Sequence, residues 1–92
     1  MRNFSIEDSL KAKLAKLYKR DKAAYESLMK KIDEIISCKD IDHYKNLRAP
    51  LQDFKRVHIK GPFVMTFKYL ESKDKVAFYD FDHHDNIYVK KG

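Results

Sequence analysis

The chain has 92 residues, 43% of them hydrophobic and 13% aromatic, with no tryptophan. That is enough for one small domain and a modest core but not for a deep enclosed cavity, so any site is expected to be a shallow surface groove. Lysine and arginine number 20 against 14 acidic residues, and the resulting net charge of +6 points to polyanionic partners, nucleic acid first. The single cysteine, Cys38, excludes an internal disulfide and a thiolate cluster and fits a reducing, cytoplasmic setting. The opening M-R-N-F-S-I-E-D has no apolar run and no cleavage-site pattern, so no signal peptide is expected. No stretch approaches the length that crosses a bilayer, and no membrane partner is expected.

Arg2 to Ile6 alternates Phe4 with Ile6 and reads as a short edge strand. Asp8 or Ser9 can cap a helix in which Leu10, Leu14, Leu17 and Tyr18 share one face, while Lys11, Lys13, Lys16 and Lys19 mostly fall outside it. Asp21 marks a break and a second cap. Tyr25, Leu28, Met29, Ile32, Ile35 and Ile36 then recur at helical spacing, and so short a joint predicts an antiparallel helical hairpin. Residues 38–52 are mixed and read as a loop, with Pro50 stopping any helix. Three strand-like runs follow, Asp53–Lys60, Pro62–Leu70 and Lys75–Phe81, joined at hairpin length by Gly61-Pro62 and Ser72-Lys73-Asp74. Ile87–Val89 reads as a last extended piece at the sheet edge. The order predicts an α+β fold over residues 1–92. A short N-terminal strand precedes an α-helical hairpin packed on one face of an antiparallel sheet of three to four strands.

Alternation assigns the two sheet faces. Val57 and Ile59, with Phe63, Met65 and Phe67, are expected to meet the helices. Arg56, His58, Lys60, Val64, Thr66 and Lys68 are expected on a second face left open to solvent. The positive charge is then focused on a groove. Near the chain's end stands D-F-D-H-H-D-N-I-Y, residues 80–88, which sets two of the four histidines side by side between carboxylates. A zinc site would use such residues, but H-H-D has neither i,i+4 nor C-x-x-C spacing and lacks a thiolate partner, so neither metal nor cofactor is expected.

The helical hairpin, H-Y-K-N-L-R at 43–48, K-R-V-H-I-K-G-P-F-V-M-T-F at 55–67 and H-H-D-N-I-Y at 83–88 together resemble the RelE/ParE superfamily of bacterial and archaeal toxins. The likeness covers nearly the whole chain, and the strand K-R-V-H-I is most similar to the RelE-like and YafQ-like messenger-RNA interferases. It implies a metal-independent endoribonuclease, typically acting in the ribosomal decoding site and held in check by a cognate antitoxin. In that chemistry a ribose 2′-hydroxyl attacks the neighbouring phosphate, leaving a cyclic phosphate and a free 5′-hydroxyl. Histidine can take the first proton and return the second near neutral pH, and lysine or arginine can stabilise the charged phosphorane.

By resemblance, His58 matches the family's strand histidine, His83 and His84 its C-terminal histidine–basic pair, and Tyr88 its C-terminal tyrosine, which can stack on a base or help activate the nucleophile. Adjacent residues of an extended segment face opposite ways, which favours His84 over His83 for the groove. Arg56 is the charge-stabilising candidate; Lys45, Arg48, Lys55, Lys60 and Lys68 are the RNA-contact candidates, with His43 a weaker one in the same loop. Two departures stand out: Val64 occupies a position where many relatives carry arginine, and Pro62 one where some carry aspartate. Only four residues follow Tyr88, and no later C-terminal helix is expected. Two alternatives share the fold: a ParE-like inhibitor of DNA gyrase and a non-catalytic RNA-binding translation inhibitor.

Overall fold

The structure is a computed structural model that describes residues 2–47 and 51–89. β1 (Asn3–Ile6) leads into α1 (Asp8–Arg20) and α2 (Lys22–Ser37), and a one-turn 3₁₀ helix follows at Ile41–His43. Then come β2 (Lys55–Lys60), β3 (Phe63–Leu70), β4 (Lys75–His83) and α3 (His84–Val89). Asp21 separates the two long helices, and its carboxylate accepts the amide of Ala24 at 3.1 Å, the cap that the sequence announces. The first helix starts at Asp8, although no side chain caps it.

The four strands form one sheet in the order β1-β4-β3-β2. β2, β3 and β4 are antiparallel neighbours, whereas β1 lies parallel to β4, from Asn3 opposite Lys75 to Ile6 opposite Phe78. The sheet is therefore mixed, not wholly antiparallel. A β1 that feeds a helical hairpin must re-enter the sheet by a crossover, and a crossover returns strands in parallel. The hairpin packs on one face. Leu10, Leu14, Leu28, Ile32, Ile35 and Ile36 meet Met65, Phe67, Val76 and Phe78, all with little or no exposure. No helix among the described residues is long and apolar enough to cross a membrane.

The other face differs from the expectation of an open surface. Leu47, Val64 and Ile87 form a second buried cluster, with Leu51 and Phe54 packed against it. The chain beyond β4 and the loop before β2 thus fold over part of that face. Ile87–Val89 belongs to α3 and is helical, not extended. Gly61 takes φ +57° in the β2–β3 turn, a conformation that glycine adopts without steric penalty.

Candidate active site

The site begins with a bulge. β4 reads V-A-F-Y-D-F-D-H over 76–83, and strict alternation cannot put both Phe78 and Phe81 on the helix side. The pairing solves this by slipping between Thr66 and Phe67: Phe67 faces Phe78, Thr66 faces Asp80, and Tyr79 is the extra residue. Beyond the bulge Phe81 returns to the helix side, packed against the main core, and Asp80 and Asp82 move to the opposite face.

Two cross-strand rows result on that outer face. One runs Arg56, Thr66, Asp80, and the other His58, Val64, Asp82. His58 is exposed and Arg56 half-buried. Val64 is fully buried beneath the second cluster, so the apolar residue at this position anchors α3 and the covering loop. His58 and Asp82 sit two strand spacings apart, about 10 Å between their backbones, with Val64 between them.

The end of the sheet carries the histidine pair. The His84 amide donates to the Pro62 carbonyl at 2.8 Å, which ties the start of α3 to the turn that follows His58's strand. His83 lies opposite Phe63, in the row on the helix side, and its ring meets Phe63 edge-on at 5.9 Å. The two imidazoles stack with centroids 4.7 Å apart and planes 27° apart. Alternation had favoured His84 alone for the groove. That argument holds only within an extended strand, and the backbone turns helical at His84, so the two rings come together. Both are part-exposed, at 38% and 39%.

Lys13 braces this corner from α1. Its ammonium lies 2.6 Å from Asp80 Oδ1 and 3.3 Å from Asp82 Oδ2, and it donates to the Phe81 carbonyl at 3.1 Å. β1 pairs no further than Phe78, which leaves this part of β4 accessible to the helix. Asp82 Oδ1 accepts the His83 amide at 2.8 Å and the Asn86 side chain at 3.0 Å, spanning the strand–helix junction. Burial would raise the Asp82 pKa, but the hydrogen bonds from Asn86 and His83 and the charge of Lys13 outweigh it and hold the carboxyl down at about 2. Nothing in the spacing of Lys13 distinguished it from the other surface lysines of its helix. The signal available was the run of two acids flanking Phe81.

The remaining candidates divide. Lys45 and Lys60 are exposed. A register shift between His58 and Lys60 sets Lys60 opposite Phe63, so it leaves His58's face, contrary to simple alternation. Lys68 holds its ammonium 4.7 Å from the centre of the Phe54 ring and 5.6 Å from that of Tyr79. Lys55 is not an outward cation. It lies in the Phe67 row at 8% exposure, donating to the Tyr44 carbonyl at 3.2 Å and Asn46 Oδ1 at 3.1 Å, with Asp42 at 3.7 Å. It clamps the loop before β2, so its assignment as an RNA contact is withdrawn. His43 is turned to its own loop, with Nδ1 2.6 Å from the Asp40 carbonyl. Arg48 lies outside the described residues, as does the side chain of Tyr88, whose backbone belongs to α3.

Between the covering loop and the sheet lies a groove of about 340 Å³, lined mainly by apolar side chains. Leu47, Leu51 and Ile87 form one wall; Phe54 and Tyr79, in edge-to-face contact at 4.9 Å, form another. Thr66, Asp80 and Ser9 supply its polar atoms.

No family model matches the chain. Among curated proteins, one from Methanocaldococcus jannaschii named "Putative toxin RelE4" is 52% identical over 91 residues, spanning 99% of this chain and 95% of that protein. Among solved structures, a metal-bound toxin from Helicobacter pylori aligns with TM-score 0.74 at 17% identity, covering 95% of this chain and 99% of that one. The intact Escherichia coli RelBE toxin–antitoxin complex supplies another match, with TM-score 0.71 at 14% identity, covering 90% of this chain and 96% of that one.

Proposed function

Because the chain belongs to the RelE toxin family, we propose that it is the toxin of a type II toxin–antitoxin pair and that it cuts messenger RNA as an endoribonuclease. The observation that supports the reading is the placement of His58 on the outer face near the strand end where the His83 and His84 rings stack, with the His84 amide bonded to the Pro62 carbonyl in the turn after His58's strand. One imidazole, from His58 or from His84, takes the proton of a ribose 2′-hydroxyl. The new O2′–P bond forms as the P–O5′ bond breaks, and the other imidazole returns a proton to the departing O5′. The products are a 2′,3′-cyclic phosphate and a free 5′-hydroxyl. Each such transfer typically contributes about 10²–10⁴-fold. Arg56, one row from His58, stabilises the negative charge of the phosphorane.

The groove beside Phe54 and Tyr79 suits one unpaired base, because every base offers a π-face to an aromatic wall. Lys45, Lys60 and Lys68 draw the phosphate backbone, and the net charge of +6 makes that attraction salt-dependent. Arg48 and Tyr88 keep their proposed roles, phosphate contact and base stacking, on sequence alone. The partners are a cognate antitoxin, by analogy with the E. coli complex, and messenger RNA on the ribosome in the cytoplasm. The reaction as written needs no metal.

Mapping the 5′ ends of messages in a translation extract tests the reading. Cuts that appear with the parent and disappear with His58→Ala and His84→Ala support it. Blocked translation with intact message would point to a non-catalytic binder, and supercoiling defects without cuts to a gyrase inhibitor.

A further inference from the structure

We propose that His83, His84 and Asp85 form a site for one transition-metal ion, zinc being the type. β4 ends at His83 and α3 begins at His84, and this change of backbone folds three consecutive side chains together. One Asp85 oxygen lies 3.1 Å from His84 Nδ1, and the other lies 3.6 Å from His83 Nδ1. Each residue offers a ligand atom within 4.8 Å of the other two. Tetrahedral zinc, with bonds of about 2.0–2.1 Å, needs neighbouring ligand atoms about 3.3–3.4 Å apart. One ligand atom from each residue already lies within 4.8 Å of the other two, and modest turns of the Asp85 carboxylate and of one stacked ring bring them to that length.

The chemistry agrees with the geometry. Two imidazoles and one carboxylate favour zinc, nickel or copper over magnesium or calcium, which prefer all-oxygen sets. The Asp85 amide faces His83 Nδ1 at 3.2 Å, which keeps a lone pair on that nitrogen, and the ion would take the amide's place. Asp82 accepts the His83 backbone amide on one side of the ligands and the Asn86 side-chain amide on the other, so they hang from a braced corner. Their exposure, 38%, 39% and 73%, lets an ion enter from solvent and keep water as a fourth ligand. Spacing rules drawn from helices and C-x-x-C turns miss this set because its three members are adjacent in sequence. A regulatory consequence rests on the ribonuclease reading: an ion held here occupies an imidazole needed for proton transfer, so loading switches cutting off.

Calorimetric titration of the purified chain with Zn²⁺ tests the site, alongside His84→Ala, Asp85→Asn and a control double variant, Cys38→Ser with His43→Ala. The control removes another ligand pair, whose thiol and imidazole lie 3.7 Å apart. Circular dichroism checks that each variant folds. The expected result is one ion per chain, bound at least about tenfold more weakly by His84→Ala and by Asp85→Asn, since outer-shell losses alone cost that much. The control should bind like the parent. No binding by the parent, undiminished binding by the two site variants, or loss confined to the control overturns the proposal. Message cutting with Zn²⁺ and then with a chelator separates the two ideas. If the ion binds but the parent never cuts, the ribonuclease reading fails and the site stands; if the parent cuts and binds no ion, the reverse holds.

Discussion

The two halves of β4 obey different rules although they share one strand. Val76, Ala77 and Phe78, before the bulge, lie between β1 and β3 and are almost wholly buried. Asp80 to His83, after it, have lost β1 as a neighbour, carry two acids braced by a lysine, and end in stacked imidazoles. The first half holds the molecule together through apolar area; the second places polar groups at an exposed corner. One inserted residue, Tyr79, divides them, and it lets a single strand carry a buried apolar half and an exposed polar half.

If the division is real, mutations should separate along it. Phe78→Ala should cost about 3–5 kcal/mol in denaturant-measured stability, the usual range for emptying a buried phenylalanine site, with little change in cutting per folded molecule. A large loss of specific activity in that variant would blur the two halves. His84→Ala should leave the unfolding midpoint within about 0.5 kcal/mol of the parent and reduce the cleavage rate by about 10²-fold or more, equivalent to about 2.7 kcal/mol of barrier.

Asp82→Asn probes the brace. The Asp82 pKa is depressed to about 2 in the folded chain, so its stabilising contribution is complete above the unfolded value near 3.8 and is lost as pH falls from there through about 2. The variant should be less stable than the parent by about 1 kcal/mol at neutral pH, allowing for solvent screening, and the gap should close in acid. A gap that persists unchanged at pH 2 would mean that the carboxylate charge is not its source. The smallest effect should come from Lys68→Ala, which removes an ammonium from above Phe54 and Tyr79 and should cost about 0.5–1 kcal/mol by thermal unfolding.

The sequence carried most of the frame. The periodic apolar positions of both long helices, the Asp21 cap and the three antiparallel strands are local signals, each written in a few consecutive residues. What escaped depends on partners far along the chain. The parallel pairing of β1 with β4 joins residues about 70 positions apart, and no window of sequence contains it. The covering of the second face depends on Leu47 and Ile87 meeting over Val64. The bulge was legible after the fact, since Phe78 and Phe81 stand at a spacing that period two cannot reconcile. At the site, His58 lies on the outer face as alternation expects. Lys55 was misread because a buried lysine with three oxygen partners looks, in sequence, like any other cation on a basic strand.

The place of β1 beside β4 also governs when the molecule comes into being. During synthesis the first strand emerges early and has nothing to pair with until Lys75 and its successors have left the ribosome. The long-range closure is the slow kind, because its loop must be ordered before any contact rewards it. A nascent chain of this design therefore cannot complete its four-stranded sheet until Lys75–His83 has emerged, so the first strand must wait for the last.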